Sequence, residues 1–200
     1  MKLVIVIALL AAIVGSVGLG AQAARGRARG AASALPVVSF VTTKGNFEVE
    51  LYPNDAPKSV EHILTLVRRD FYKGIRVHRF VPGFVVQFGD PQTRDMTKKD
   101  RWGGGGSGRA IGVAEISPKR PHKLGAVALA YSEAGGPTSV DSQVYICVNG
   151  PARYAPPNYE LNGKYAVIGQ VISGMSVVQQ LRELDIIKTA TVKEPGRGAK

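Results

Sequence analysis

Short runs of alternating apolar and polar residues dominate the first half of the chain. The runs 38–41 and 47–51 place apolar side chains on one face and polar side chains, such as Glu48 and Glu50, on the other. A period of two is the pattern of a half-buried β-strand. The two runs predict a β-hairpin that turns at 44–46, where a glycine is available.

Two stretches show helical periodicity instead. A helix is predicted to begin at Pro57, because proline is well tolerated in the first helical turn. It would end at 72–74. Its buried stripe follows the spacing i, i+3, i+4, i+7, i+11 and consists of Val60, Ile63, Leu64, Val67 and Phe71. His62 lies off that stripe, so we expect it to be solvated. A second amphipathic helix is predicted over 175–184, with Val177, Val178, Leu181 and Leu184 on its apolar face, and a closing strand over 186–192.

Composition supports one globular, β-rich domain with extensions. The 200 residues include 44% apolar and 20% charged residues, with 24 glycines and 12 prolines to supply turns. The single cysteine, Cys147, excludes an internal disulfide. Because it lies in the apolar run 144–148, we expect it to be buried and unreactive.

The formal net charge of +11 would permit binding to nucleic acid or to an anionic membrane. The basic residues are scattered over loops and the tail, however, without the pattern of a recognition helix or of an RNA-binding motif. The pattern therefore argues against nucleic-acid binding as the function of this chain, and residues 193–200 are interpreted as a basic tail.

The N-terminus has the features of a signal peptide. A basic start at Lys2 precedes an uncharged apolar run to Gly20, and small residues follow at 21–23. We expect cleavage after Ala23 and export to the periplasm or the outside of the cell. The alternative is an uncleaved membrane anchor, since about 18 apolar residues is the lower limit for a span. Residues 24–36 read as a flexible basic linker.

The stretch 77–91, VHRFVPGFVVQFGDP, carries the candidate chemistry. It has the alternation of a half-buried strand, with Val77 and Arg79 pointing to one side and His78 to the other. Pro82 and the glycine after it break this strand, and a second one resumes. An arginine embedded in such an apolar stretch is costly unless its guanidinium has something to bind.

This stretch resembles the signature of the cyclophilins, the peptidyl-prolyl cis-trans isomerases that act on Xaa-Pro bonds. The family pattern is approximately F-H-R-x-x-x-G-F-x-x-Q-x-G-D, and the chain departs from the usual residues at Val77 and Phe88. Three further segments are similar to family strands: 124–130, 141–146 and 161–169. The resemblance covers residues 37–192, and it implies a mainly β fold, a closed eight-stranded antiparallel barrel capped by two α-helices.

The resemblance also implies a set of site residues. Arg79 would be the hydrogen-bond donor, Gln87 would position it and Phe84 would pack on the substrate proline. The remaining substrate-binding residues implied by the family are His78, Val85, Ala130, Tyr131, Gln143, Tyr145, Glu160, Leu161 and Tyr165. The partners would be unfolded or extended polypeptides that contain proline, bound by a monomer that assists the folding of exported proteins.

Three of these positions depart from the family. Tyr145 stands where a pocket phenylalanine is usual, Tyr165 replaces a histidine, and Glu160 falls where cyclosporin-sensitive members have tryptophan. We therefore expect weak cyclosporin binding. A non-catalytic proline-peptide binding module or chaperone on the same fold is the alternative function.

Other kinds of site find no support. The glycine run 103–106 is not followed by the Gly-Lys-Ser/Thr of a phosphate-binding loop, so it is interpreted as a surface loop with Trp102 as its packing anchor. His122 lies in a charged turn without a partner at metal-ligand spacing. The sequence thus predicts no metal and no cofactor, which suits bond rotation because that reaction breaks no covalent bond.

Overall fold

The computed structural model describes residues 35–132, 134–149, 153–154 and 159–193. The expected leader at 1–23, nearly all of the linker 24–36, most of the insertion 150–159 and the tail after Lys193 lie outside the described residues. The side chain of Glu160 lies outside them as well. Among the described residues, no helix has both the length and the apolarity needed to cross a membrane.

Extended segments make up most of the described chain. The strands are β1 (Val37–Thr42), β2 (Gly45–Leu51), β3 (Arg79–Val81), β4 (Val85–Phe88), β5 (Ala126–Leu129), β6 (Val144–Cys147), β7 (Arg153–Tyr154), β8 (Tyr159–Glu160), β9 (Val167–Ser173) and β10 (Ile187–Lys193). The helices are α1 (Pro57–Arg68) and α2 (Met175–Gln180), with 3₁₀ turns at Pro91–Arg94, Met96–Arg101 and Pro137–Ser139.

Within the described residues, eight strands form one antiparallel sheet in the order β10-β1-β2-β9-β5-β6-β4-β3, while β7 and β8 pair separately. The mainly β architecture is confirmed, but the sheet is open, with β10 and β3 at its edges. Residues 74–77, before β3, bond to the chain at and just before the start of β10. Val77 N–H donates to the Asp185 carbonyl at 2.9 Å, and a bridge joins Arg76 and Ile186. These loop contacts replace the edge-to-edge ladder of a closed barrel.

The main hydrophobic core lies on the concave face of this sheet. Alternate residues of each strand point into it, such as Val86 and Phe88 from β4 and Val144 and Ile146 from β6. Their neighbours point to the other face and form a second cluster. Burial on both faces explains why β5 and β6 are continuous apolar runs with no exposed position.

Helix α1 covers the main core with the predicted stripe, which is buried from Val60 to Val67. The helix ends at Arg68, earlier than predicted, so the half-buried Phe71 packs against the core from the following turn. Helix α2 also ends early, because the backbone becomes extended at Leu181. Leu181 is fully buried as predicted, but Leu184 is 43% exposed, so its assignment to the apolar face was wrong.

Two smaller expectations also need correction. The first hairpin turns at residues 43–44, since β2 already begins at Gly45, whose φ of +128° suits glycine. His62 is half-buried rather than solvated, because its Nε2 lies 2.8 Å from Oδ1 of Asp141. The expected burial of Cys147 is confirmed, and burial raises the pKa of its thiol to about 12.

Candidate functional site

Strand register brings the predicted polar residues into one row. Arg79 on β3 is directly opposite Gln87 on β4, and Gln87 is opposite Tyr145 on β6. Directly paired residues of antiparallel strands point to the same face of a sheet. The three side chains therefore share the face opposite the main core. The fold thus brings together residues that are up to 66 positions apart, counted from 79 to 145.

A chain of hydrogen bonds runs along this row. Arg79 Nη1 donates to Gln87 Oε1 at 3.4 Å, and Gln87 Nε2 donates to Gln143 Oε1 at 2.9 Å. Gln143 Nε2 then donates to the carbonyl oxygens of Gly103 and Gly105, both at 2.7 Å. Each amide is oriented by its next partner, so the carbonyl oxygen of Gln87 is turned toward the guanidinium.

Arg79 itself is exposed, contrary to the expectation of an arginine embedded in an apolar surround. It lies on an edge strand of three residues, which the chain leaves at the turn through Pro82. No carboxylate in the described part of the chain pairs with it. Its guanidinium is therefore held by a neutral amide and can donate further hydrogen bonds.

An apolar cluster lies beside this row. It contains five of the predicted pocket residues, Phe84, Val85, Tyr145, Leu161 and Tyr165, together with Ala130. Phe84, Tyr145 and Leu161 are 4–6% exposed, so they lie just below the surface, whereas Val85 is at 1% and forms the floor. The cluster combines a dry, aromatic environment with a nearby cationic donor.

Aromatic stacking orders the edge of the cluster. The rings of Tyr131 and Tyr165 stack with centroids 4.5 Å apart, and Tyr165 meets Tyr145 edge-on at 5.7 Å. Such offset and perpendicular pairs are the favourable arrangements for aromatic rings. Tyr131 thus reaches the cluster through Tyr165.

A cleft of about 330 Å³ continues from the apolar cluster. It is lined by Gln87, Gly103, Gly104, Gly105, Gly106, Gly108, Ala130, Tyr131, Ser132, Ser139, Asp141 and Gln143. Gln87 and Ala130 border both the cleft and the apolar cluster. An extended chain lying over the cluster would continue into this cleft.

The glycine-rich segment is attached to the site by hydrogen bonds. Asp90 Oδ2 accepts hydrogen bonds from the backbone N–H groups of Gly103 and Gly105 at 2.6 and 3.0 Å. A Cβ at Gly105 would lie 2.3 Å from Asp90 Oδ1, so a larger residue there would displace the carboxylate that binds the segment. Trp102 is half-buried and donates from Nε1 to the Asp95 carbonyl at 3.3 Å, which anchors the start of the segment.

His78 does not join the row of polar side chains. Its ring lies near Gly103, since a Cβ built there would be 3.5 Å from His78 Cδ2. Both ring nitrogens are buried, and neither makes a hydrogen bond of good geometry among the described residues. Burial lowers the pKa of this imidazole below 6.5, against the opposing effects of the nearby Asp90 carboxylate and Gln143 amide. Its backbone N–H donates to the Gln87 carbonyl at 3.2 Å, so His78 is attached to the site through its main chain.

Sequence reasoning missed two residues of this region. His122, expected only to lie in a charged turn, is buried, and its Nε2 lies 2.8 Å from the Tyr145 hydroxyl. Asn162 contacts the other ring nitrogen at 3.0 Å. Neither contact has a signal in the sequence, because the partners are 23 and 40 positions from His122. Among the described residues, no group of three or more histidine, cysteine or acidic side chains could hold a metal ion.

Comparisons with known proteins identify the family of the chain. A family model described as cyclophilin type peptidyl-prolyl cis-trans isomerase/CLD matches residues 37–197. A probable peptidyl-prolyl cis-trans isomerase of Brucella suis is 38% identical over 157 residues, covering 76% of this chain and 74% of that protein.

Solved structures share the fold. A cyclophilin type peptidyl-prolyl cis-trans isomerase of Cryptosporidium parvum superposes with a TM-score of 0.66 at 25% identity, over 80% of this chain and 98% of that one. A second structure of that protein, determined in the presence of the dipeptide Ala-Pro, gives a TM-score of 0.65 at 24% identity, over 79% of this chain and 99% of that one.

Proposed function

The chain belongs to the cyclophilin-type peptidyl-prolyl cis-trans isomerases and is an enzyme of that kind, and from this premise we propose which residues carry the reaction and where it serves the cell. The proline ring of the substrate binds against Phe84, Leu161 and Tyr145. Arg79 donates to the amide that rotates, and Gln87 orients Arg79. An extended polypeptide continues into the cleft beside Ala130.

Rotation of an amide needs no nucleophile and no base. Its barrier of about 18–20 kcal/mol comes from resonance between the nitrogen lone pair and the carbonyl. When the bond is twisted, that resonance is lost, so the nitrogen becomes more basic and the C–N unit less polar. A dry apolar site favours the twisted state over the planar one, and a donor aimed at the nitrogen stabilises it further.

The two parts of the site must act together. A thousandfold acceleration requires a barrier lower by about 4 kcal/mol, whereas one hydrogen bond from a charged donor contributes about 1.5–3 kcal/mol. Arg79 is therefore insufficient by itself. Orientation and loss of water in the cluster around Phe84 supply the remainder.

One observation carries this proposal. The guanidinium of Arg79 lies in the same cross-strand row as Gln87 and Tyr145, bonded to an amide and to no carboxylate among the described residues. A carboxylate partner would neutralise the guanidinium and occupy its donors. The neutral amide leaves the charge available for the substrate.

An exchange measurement on a short Ala-Pro peptide separates catalysis from binding alone. Two-dimensional exchange NMR should show that the purified chain increases the rate of interconversion between the cis and trans signals. Saturable shift changes without faster exchange would instead support a non-catalytic binding module.

We further propose that the enzyme works outside the cytoplasm on exported, proline-containing polypeptides, as a monomer. The support for export is the basic start, apolar run and small residues of 1–23.

The test is to express the full chain in a bacterium, separate the periplasm from the membranes and determine the N-terminus by mass spectrometry. A periplasmic product that begins at Ala24 is expected. A membrane-bound chain that keeps Met1 would establish the anchored alternative, and an intact cytoplasmic chain would contradict export.

A further inference from the structure

A buried histidine lies directly behind the proposed proline site. His122 precedes β5 and is 3% exposed. Its ring is nearly parallel to that of Tyr145, with an interplanar angle of 11° and centroids 5.9 Å apart, and its Nε2 is 2.8 Å from the Tyr145 hydroxyl oxygen. This contact gives a hydrogen-bond partner to the hydroxyl, which is the single polar group of the Tyr145 side chain.

The position of the protons follows from Asn162. Its Oδ1 accepts the backbone N–H of His122 at 2.8 Å and lies 3.0 Å from His122 Nδ1. An amide oxygen has no proton to donate, so Nδ1 must carry one. In a neutral imidazole Nε2 is then the acceptor, and the Tyr145 hydroxyl donates to it. Burial lowers the pKa of His122 below 6.5, which keeps the ring neutral at pH 7.

This bond has a consequence for the site. Tyr145 is 4% exposed within the apolar cluster, where an unpaired hydroxyl is unfavourable. With its proton held by His122, the hydroxyl offers no donor to the space beside Phe84. The same bond fixes the ring in its edge-on contact with Tyr165.

We propose that His122 is a positioning residue of the isomerase, which holds the Tyr145 hydroxyl and thereby keeps the proline-binding surface apolar and fixed. This inference rests on the proposed function, because it assumes that Tyr145 contacts the substrate proline. His122 acts through Tyr145 and does not touch the substrate itself.

Protonation of His122 would reverse the arrangement. With protons on both nitrogens, Nε2 becomes a donor, so the tyrosine hydrogen has to turn away from it and a cation lies behind the site.

Among the described residues, the titratable group in contact with His122 is the Tyr145 phenol. The titratable groups that influence the pKa of the Tyr145 phenol through their charges are Cys147, Tyr165, Tyr131 and Arg79. On the loop of His122 itself, Arg120 is paired with Asp55 at 2.8 Å and Lys123 is exposed.

A double-mutant cycle tests the proposal. His122→Leu should lower kcat/KM for the Ala-Pro peptide about tenfold, since it leaves a buried hydroxyl unpaired. In the Tyr145→Phe background, the same change should cause less than a twofold further loss, whatever the rate of that background. A similar loss in both backgrounds would show that His122 acts only as general packing, and no loss in either would remove it from the site.

A conservative variant gives a second readout in case His122→Leu does not fold. His122→Gln keeps an acceptor but does not titrate. It should retain most of the turnover at pH 7.5, and its kcat/KM should fall less than that of wild type as the pH decreases from 6.5 to 5, since His78 still titrates in this variant. A decline as steep as that of wild type would overturn the proposal.

The same measurements distinguish this proposal from the function on which it rests. If Arg79→Ala is impaired while His122→Leu equals wild type, the role of His122 is wrong and the proposed site stands. If wild type binds the peptide without accelerating exchange, the cycle is repeated with the dissociation constant as its readout. If wild type neither binds nor isomerises the peptide, both proposals fail.

Discussion

Arg79 illustrates how a single side chain can be kept both exposed and oriented. A flexible, solvated arginine loses side-chain entropy when it binds a substrate. Its bond to Gln87, which Gln143 and the glycine-rich segment hold in turn, limits the positions that the guanidinium adopts. The Arg79 side chain has therefore already lost part of its conformational entropy in the free enzyme, so substrate binding costs less.

Removal of Gln87 should expose this dependence. We expect Gln87→Ala to lower kcat/KM for an Ala-Pro peptide by about tenfold, because Arg79 and Gln143 both lose a partner. Gln180→Ala is the control, since Gln180 is exposed on α2 and bonds to Ser176 of its own helix. Equal turnover in the two variants would show that Gln87 does not orient Arg79.

The sequence and its family resemblance could supply candidate site residues, and their roles in the reaction stay predictions. Arg79, Phe84 and Gln87 stand at fixed spacing, and the strand register gives Arg79 and Gln87 a shared face. The partners of His122 could not be predicted, because they come from β6 and from the turn after β8, and only the folded chain brings them together. The exposure of Arg79 also depends on the sheet edge, which local alternation does not reveal.

At the scale of elements, helix α1 has an unusual beginning. Its N-cap residue, Ala56, has no side-chain oxygen to accept the first N–H groups. The carboxylate of Glu115 does so from a distant loop, at 3.1 Å from Lys58 N and 2.8 Å from Ser59 N. A negative charge at this end also interacts favourably with the helix dipole.

We therefore expect Glu115→Ala to destabilise the fold by about 1 kcal/mol, the usual cost of losing an N-cap. Urea unfolding followed by circular dichroism would measure it. Glu61→Ala, which removes an exposed carboxylate beyond the first turn of the same helix, should have a smaller effect. Equal unfolding midpoints for the two variants would contradict the capping role.

The lengths of elements were harder to predict than their presence. The predicted apolar face of α1 is buried, and that of α2 is buried in part, since Leu184 is exposed. Helix α1 ends at Arg68 and α2 at Gln180, both earlier than predicted. Their stripes continue because Phe71 and Leu181 still pack on the core from outside the helices. The spacing of apolar residues predicts which side chains are buried. A side chain can be buried without belonging to the helix that precedes it. The alternation of apolar and polar residues likewise predicts strands, but it does not predict whether the sheet closes into a barrel.

At the scale of the whole molecule, buried histidines link stability to pH. Burial lowers the pKa values of His78 and His122 below the ordinary 6.5. Below pH 6.5 the unfolded chain then binds more protons than the folded one, so acid favours unfolding. Their contribution to stability is complete above about pH 6.5 and is lost as the pH falls from there toward the folded-state pKa values.

The free energy of unfolding should therefore decrease between pH 7.5 and pH 5.5. His122→Gln should make this dependence shallower, by no more than about 1.4 kcal/mol per pH unit, the limit for one group. Urea titrations at pH 7.5, 6.5 and 5.5 would measure the slope. A wild-type stability that is constant or rises on acidification over this range would contradict the burial of neutral histidines.

The central claim is that the Arg79 guanidinium, bonded to an amide and to no carboxylate among the described residues, lowers the barrier to prolyl rotation beside an apolar cluster. The most direct measurement is the exchange rate of an Ala-Pro peptide with Arg79→Ala, beside Arg68→Ala as a control. Arg68 is also an exposed arginine, at the end of α1, so both variants lose one positive charge. We predict a loss of 10- to 100-fold in kcat/KM for Arg79→Ala, the value of one charge-assisted hydrogen bond, with an unchanged circular dichroism spectrum and wild-type turnover in Arg68→Ala. Wild-type turnover in a folded Arg79→Ala variant would contradict the claim.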